Sequence, residues 1–248
     1  MAARLKLTVA YDGAFFAGWQ SQTHGNTIQD HLEKTFRRIA GKKIRVHAAG
    51  RTDAGVHALA QCVHADVSDR RRSIARWRNA LNALLPATIR VLRCRYVSAA
   101  FHARFSAKGK IYRYRLWTGP VLPPFEVARA WHVNVPLDVE KIRRAAQQFV
   151  GTHDFAGFAA NRGKPEMNTV RTIHSARVSK AGQLITLEFS GDGFLYKMVR
   201  LMVGSIVRCG LGKIAPQHIA DLLHSRRPVQ CERVVAPPEG LILVRVRY

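Results

Sequence analysis

The chain has 248 residues, 47% of them hydrophobic, and carries 40 Lys+Arg against 16 Asp+Glu, a formal net charge of +24. That length accommodates one large or two medium domains with a true core, and no run of about 18 apolar residues is present to span a membrane. Divided at residue 104, each part carries a net +12, so the charge belongs to the folded body and points to a polyphosphate partner, nucleic acid above all.

In chain order, RLKLTVAY (4–11) alternates as a strand and stops at the Asp12-Gly13 turn signal. The start MAARLKLTVAYDG runs straight into that strand without the apolar stretch of a signal peptide, so a cytoplasmic location is expected. Ile28, Leu32, Phe36 and Ile39 share one helical face, with Asn26 or Thr27 as cap and Gly41 as stop. Lys43–Ala49 reads as a strand, residues 50–58 as a polar loop, and Leu59–Val67 as the next strand. Ser73 caps a helix carrying Ile74, Trp77, Leu81 and Leu84 that Pro86 ends, and Ile89–Tyr96 is a further strand. KIYRYRLW (110–117) begins a second series of strand patterns and helices. That series contains helices over Leu137–Phe149, Leu195–Cys209 and Pro216–His224, strands at Val170–Ser179 and Gln183–Ser190, and the closing strand GLILVRVRY. The expected class is α+β, with two subdomains, 1–104 and 105–248, each an antiparallel sheet covered by helices.

Several chemistries lack their residues. No P-loop, no G-x-G-x-x-G after a strand, no HExxH and no CxxC pair occurs, and Cys62, Cys94, Cys209 and Cys231 read as free thiols. His153-Asp154-Phe155 reads as loop packing and capping rather than as a metal site. The exception is AAGRTDAGVHALAQ (48–61), where Asp53 follows Arg51 and Thr52 in a glycine-bounded loop between apolar strands. Asp is a common turn residue, and a turn is the plain alternative. A lone carboxylate in a cationic setting, at the edge of a sheet, is instead the arrangement of an acid held ionised beside a polyanion.

GRTDAGVHA resembles the catalytic loop of the tRNA pseudouridine synthase A (TruA) family. YDGAFFAGWQSQ, TIQDHLE, NALLP, FHARFSAKGKIYRY, GTHDFAGF, GDGFLYKMVRLMVGSI and APPEGLILVRVRY resemble that family's other motifs in the family's order, over nearly the whole chain. SRRPVQCERVVA (225–236) and VHADV fit its pattern only loosely. The resemblance implies the pseudouridine synthase fold, two ferredoxin-like-derived α/β subdomains whose sheets adjoin with an active cleft between them. It implies isomerisation of uridine to pseudouridine on the 3′ side of the tRNA anticodon stem-loop (positions 38, 39 and 40 of the tRNA). It also implies a homodimer, tRNA as partner, and no metal or cofactor. By the same resemblance Asp53 is the catalytic carboxylate and Arg200 the cation that pairs with it. Tyr112 stacks on the target uracil, Arg51 enters the RNA helix in place of the flipped base, and Leu241 makes an apolar contact to that base. Attack at C1′, attack at C6 and proton abstraction at C2′ all suit a carboxylate at position 53. The competing readings are a non-catalytic RNA-binding or assembly protein and a pseudouridine synthase with other RNA targets.

Overall fold

A computed structural model describes residues 3–23, 25–68, 72–160, 168–224 and 234–248. Cys231 and most of SRRPVQCERVVA lie outside the described residues. The chain forms two compact units, Met1–Lys108 with Ile242–Tyr248, and Gly109–Leu241.

The first unit runs β1 (Ala3–Tyr11), α1 (Ile28–Ala40), β2 (Val46–Ala48), β3 (His57–Val67), α2 (Ile74–Leu84) and β4 (Ile89–Val97). The second runs β5 (Gly109–Trp117), β6 (Trp131–His132), α3 (Val139–Gln147), β7 (Gly151–Asp154), β8 (Val170–Ala181), β9 (Leu184–Gly191), α4 (Met198–Gly210) and α5 (Gln217–His224). The last strand, β10 (Leu241–Arg247), returns to the first unit. It pairs parallel to β3, with Ile242 opposite His57 and Leu243 opposite Ala58. The expected 105–248 subdomain therefore ends at Leu241, and Ile242–Tyr248 group with the first unit, a long-range association that local periodicity does not encode.

In the first unit β3 is flanked by β1 and β10, with β4 on the far side of β1 and β2 also pairing to β3. Alternation along β1 buries Leu5, Leu7 and Val9 completely and turns Lys6 and Thr8 to the opposite face. α1 starts with a full capping box, in which Thr27 and Asp30 satisfy each other's backbone amides, and it stops at Gly41 in the left-handed region. Ile28, Leu32 and Phe36 are its buried stripe. Ser73 caps α2 by accepting from the Arg76 amide, and Trp77 and Leu81 are buried there.

In the second unit β9 lies between β5 and β8, with β7 beyond β8 and β6 parallel to β5. Helix α4 starts three residues later than the apolar run predicts, because Lys197 sits at φ 57°, in the left-handed region, and interrupts the helical path. The strand expected over Lys43–Ala49 shrinks to Val46–Ala48, and the following one starts at His57, two residues early. His153-Asp154-Phe155 does cap and pack. The Asp154 carboxylate accepts from the Ala156 amide and the Thr169 hydroxyl, and Phe155 is fully buried. Cys62, Cys94 and Cys209 are free thiols.

Candidate active site

Asp53 lies on the loop between β2 and β3, and that loop is fixed from several directions within the first unit. Its near end is anchored by the Ala49 amide donating to the Cys62 carbonyl (2.9 Å) and by Gln61 Nε2 donating to the Gly50 carbonyl (2.9 Å). Its middle is held through Thr52, which is buried. The Thr52 hydroxyl meets the Tyr11 hydroxyl at 2.8 Å, and its carbonyl accepts from the Trp19 amide at 3.0 Å. Its far end closes as a turn, with the Val56 amide donating to the Asp53 carbonyl (3.1 Å) and Gly55 at φ 79°. Thr52 is buried, while Arg51 is exposed and Asp53 half-buried.

The surrounding residues come from YDGAFFAGWQ, the segment after β1. Gly13 has no room for a side chain: a Cβ there would lie 2.1 Å from the Val56 carbonyl oxygen. Gly18 has φ 89°, and a Cβ on it would meet the Thr52 carbonyl oxygen at 2.8 Å and the Asp53 and Ala54 backbone at 3.0 Å. Two glycines thus let one backbone lie directly against the other. His57, at the start of β3, is buried and accepts from the Gly13 amide through Nδ1 (3.1 Å) beside the Asp12 carboxylate. Burial, the largest influence, pushes the Tyr11 phenol up to about 12, so it stays neutral and available as donor or acceptor. Sequence reasoning missed this scaffold. Its signal was the pair of glycines in DGAFFAG, which look like ordinary turn residues until the loop they touch is known.

In the second unit, Tyr112 and Tyr114 of β5 point to the same face, opposite Phe189 and Leu187 of β9. Tyr112 packs edge-on against Phe194, with ring centroids 5.0 Å apart. Tyr114 is the core member of the two, fully buried, donating its hydroxyl to the Pro237 carbonyl at 2.6 Å. Burial raises its phenol far above the ordinary range. Arg200, on α4, donates from Nε to the Ala236 carbonyl at 2.7 Å, while the Ala236 amide donates to the Arg200 carbonyl at 3.1 Å. One turn further along α4, Gly204 faces the same segment; a Cβ there would lie 1.9 Å from the Val234 carbonyl oxygen. Gly240 lies against the Tyr114 ring in the same way. The APPEGL segment is therefore docked on α4 and on β5 together, and this places Leu241, which is buried, at its end. Of the five residues singled out from the sequence, Asp53 and Arg51 share one loop of the first unit, and Tyr112, Arg200 and Leu241 belong to the second. Among the described residues no cluster of three or more His, Cys, Asp or Glu side chains is suited to a metal ion.

A family model described as tRNA pseudouridine synthase matches residues 7–106 and 145–248. The chain belongs to the pseudouridine synthases, in the tRNA pseudouridine synthase A family. The relatives are close: tRNA pseudouridine synthase A of Akkermansia muciniphila is 46% identical over 251 aligned residues, covering 99% of this chain and 95% of that protein. The protein of the same name from Halalkalibacterium halodurans is 45% identical, covering 96% of this chain and 90% of its own. A chain of a solved Cbf5-Nop10-Gar1 complex aligns with 96% of this chain and 48% of its own at 14% identity, with a TM-score of 0.37.

Proposed function

We propose that this pseudouridine synthase acts on tRNA, at uridines 38, 39 and 40 of the anticodon stem-loop, with Asp53 as its catalytic group. In the reaction the N1–C1′ bond breaks, the freed uracil turns, C5 bonds to C1′, and the C5 proton leaves while N1 gains one. Nothing is added or lost overall, and the side chains supply positioning and charge rather than a reagent. The observation that carries this reading is the loop itself. Its backbone is anchored at both ends and at Thr52, and this holds the main chain of Asp53 in place, two residues after Arg51.

The remaining roles follow the family resemblance. Arg51 fills the gap in the RNA stack once the nucleotide is extruded, and Tyr112 and Leu241 give the uracil an aromatic and an apolar surface. Arg200 supplies the cation of the site; the Nε bond to the Ala236 carbonyl orients its planar fork. The enzyme works without a cofactor, in the cytoplasm, as a homodimer.

Mapping pseudouridine in an unmodified tRNA transcript after incubation with the protein tests the assignment. Modification confined to positions 38–40 supports it. Modification elsewhere favours a synthase with other targets, and tight binding without modification favours an RNA-binding protein.

A further inference from the structure

The first unit contains a second feature that the proposed chemistry does not use. At its edge, where β4 pairs with β1, lies a cavity of about 720 Å³ bordered by four cations, Lys6, Arg78, Arg93 and Arg95, with Ile74 and Leu92 as its apolar wall. That volume suits a nucleotide-sized group.

The charge arrangement is unfavourable in the protein alone. The β1–β4 register sets Lys6 directly opposite Arg95, and Thr8 opposite Arg93. Like charges directly across a sheet destabilise it. Among the described residues no carboxylate lines the cavity, and none of the four cations has a salt bridge. Lys6 rests instead over aromatic faces, 3.5 Å from the centroid of Tyr248 and 4.5 Å from that of Phe101. Burial lowers its pKa most; Cys62 acts in the opposite direction and Arg95 lowers it again. Arg78, Arg93, Arg95 and Leu92 are exposed. The rings stabilise Lys6 in part, but they supply no counter-charge, and a local arrangement that breaks a stability rule in this way marks a candidate site for a charge from outside. An anion would supply that charge.

We propose that this cavity is a docking site for the phosphate backbone of the substrate RNA, away from the nucleotide that reacts. The inference rests on the tRNA reading above. Tyr11, whose hydroxyl holds Thr52 of the catalytic loop, is three residues along β1 from Thr8 and five from Lys6. At ~3.3 Å per residue the cavity lies roughly 10–17 Å along the strand from Tyr11. A contact at that distance strengthens binding without touching the reacting base.

The test is the double variant Arg93→Gln/Arg95→Gln, assayed beside wild type for tRNA affinity over a series of KCl concentrations and for steady-state pseudouridine formation. With two arginine–phosphate ion pairs removed, the slope of log affinity against log salt falls by about 1.5 to 2. The RNA concentration for half-maximal rate rises about tenfold or more, and the saturated rate stays within about twofold. Equal salt slopes and equal half-saturation for the two proteins overturn the proposal. A saturated rate that falls in step with affinity also overturns it, since the arginines would then be serving the reaction or the fold. Weaker inhibition of the variant by inorganic phosphate or ATP, with RNA slopes unchanged, assigns the cavity to a free phosphate compound instead. Failure of the tRNA reading is seen separately, as wild type that forms no pseudouridine.

Discussion

Gly18→Ala tests how the loop carrying Asp53 is held. The glycine has φ 89°, where an alanine costs about 1–2 kcal/mol, and the new Cβ would lie 2.8 Å from the Thr52 carbonyl oxygen and 3.0 Å from the Asp53 carbonyl carbon. Relieving that overlap means moving backbone, since every one of these neighbours is main chain, and overpacking of this kind costs a further ~1–3 kcal/mol. The total, about 2–5 kcal/mol, is a large part of the ~5–15 kcal/mol that stabilises a typical domain. At about 2–4 °C per kcal/mol for a chain of this size, the melting temperature falls by roughly 4–20 °C. The Trp19 amide donates to the same Thr52 carbonyl that the methyl group would push away, so the displacement passes directly to Asp53. A shift near 1 Å in a reacting group costs on the order of 100-fold in rate. Thermal unfolding by circular dichroism and pseudouridine formation at 25 °C, run on one preparation, separate the two effects. The reasoning is refuted if the variant loses stability as stated yet keeps its rate, because the glycine would then support the fold and not the loop.

Two further perturbations address the same unit. Tyr11→Phe removes a buried hydroxyl and strands the Thr52 hydroxyl, so denaturant unfolding should show a loss of about 1–3 kcal/mol; a change under ~0.5 kcal/mol would mean that the pair contributes little. His64 is buried, stacks on His47 and meets His102 edge-on, and burial first, then Arg4 and the two neighbouring imidazoles, lower its pKa from 6.5 to about 4 despite the opposing charge of Asp66. The unfolded chain therefore takes up this proton at a higher pH than the fold does, and stability, complete above about 6.5, is lost as pH falls toward 4. His64→Gln should flatten the unfolding free energy over that window; an unchanged slope assigns the acid sensitivity to other groups.

Local signals were read well where the physics is local. The alternation of RLKLTVAY, the Thr27 and Ser73 caps, and the Gly41 stop each depend on neighbours within four residues, and each is realised. Long-range pairing was not legible. Nothing in GLILVRVRY says that it lies parallel to β3, and nothing in DGAFFAG says that its glycines face Thr52 and Val56. The site followed the same division. Asp53 stood out because it is one of 16 acids among 40 basic residues and sits in a glycine-bounded loop. The Tyr11–Thr52 hydroxyl pair and the docking of Ala236 on Arg200 join residues 41 and 36 positions apart, and composition carries no record of such contacts. Lys197 shows the limit from the other side. Its left-handed backbone ends an apolar run that periodicity alone extends to Leu195.

The central claim is that Asp53 does the chemistry. The most direct measurement is tritium release from tRNA labelled at uridine C5 by wild type and Asp53→Asn, with tRNA binding measured on the same samples. The account predicts release by wild type, none above background by the variant, and equal or tighter binding by the variant, since a carboxylate beside phosphates has been removed. Release by Asp53→Asn at a rate comparable to wild type would contradict it and move the catalytic role to another residue.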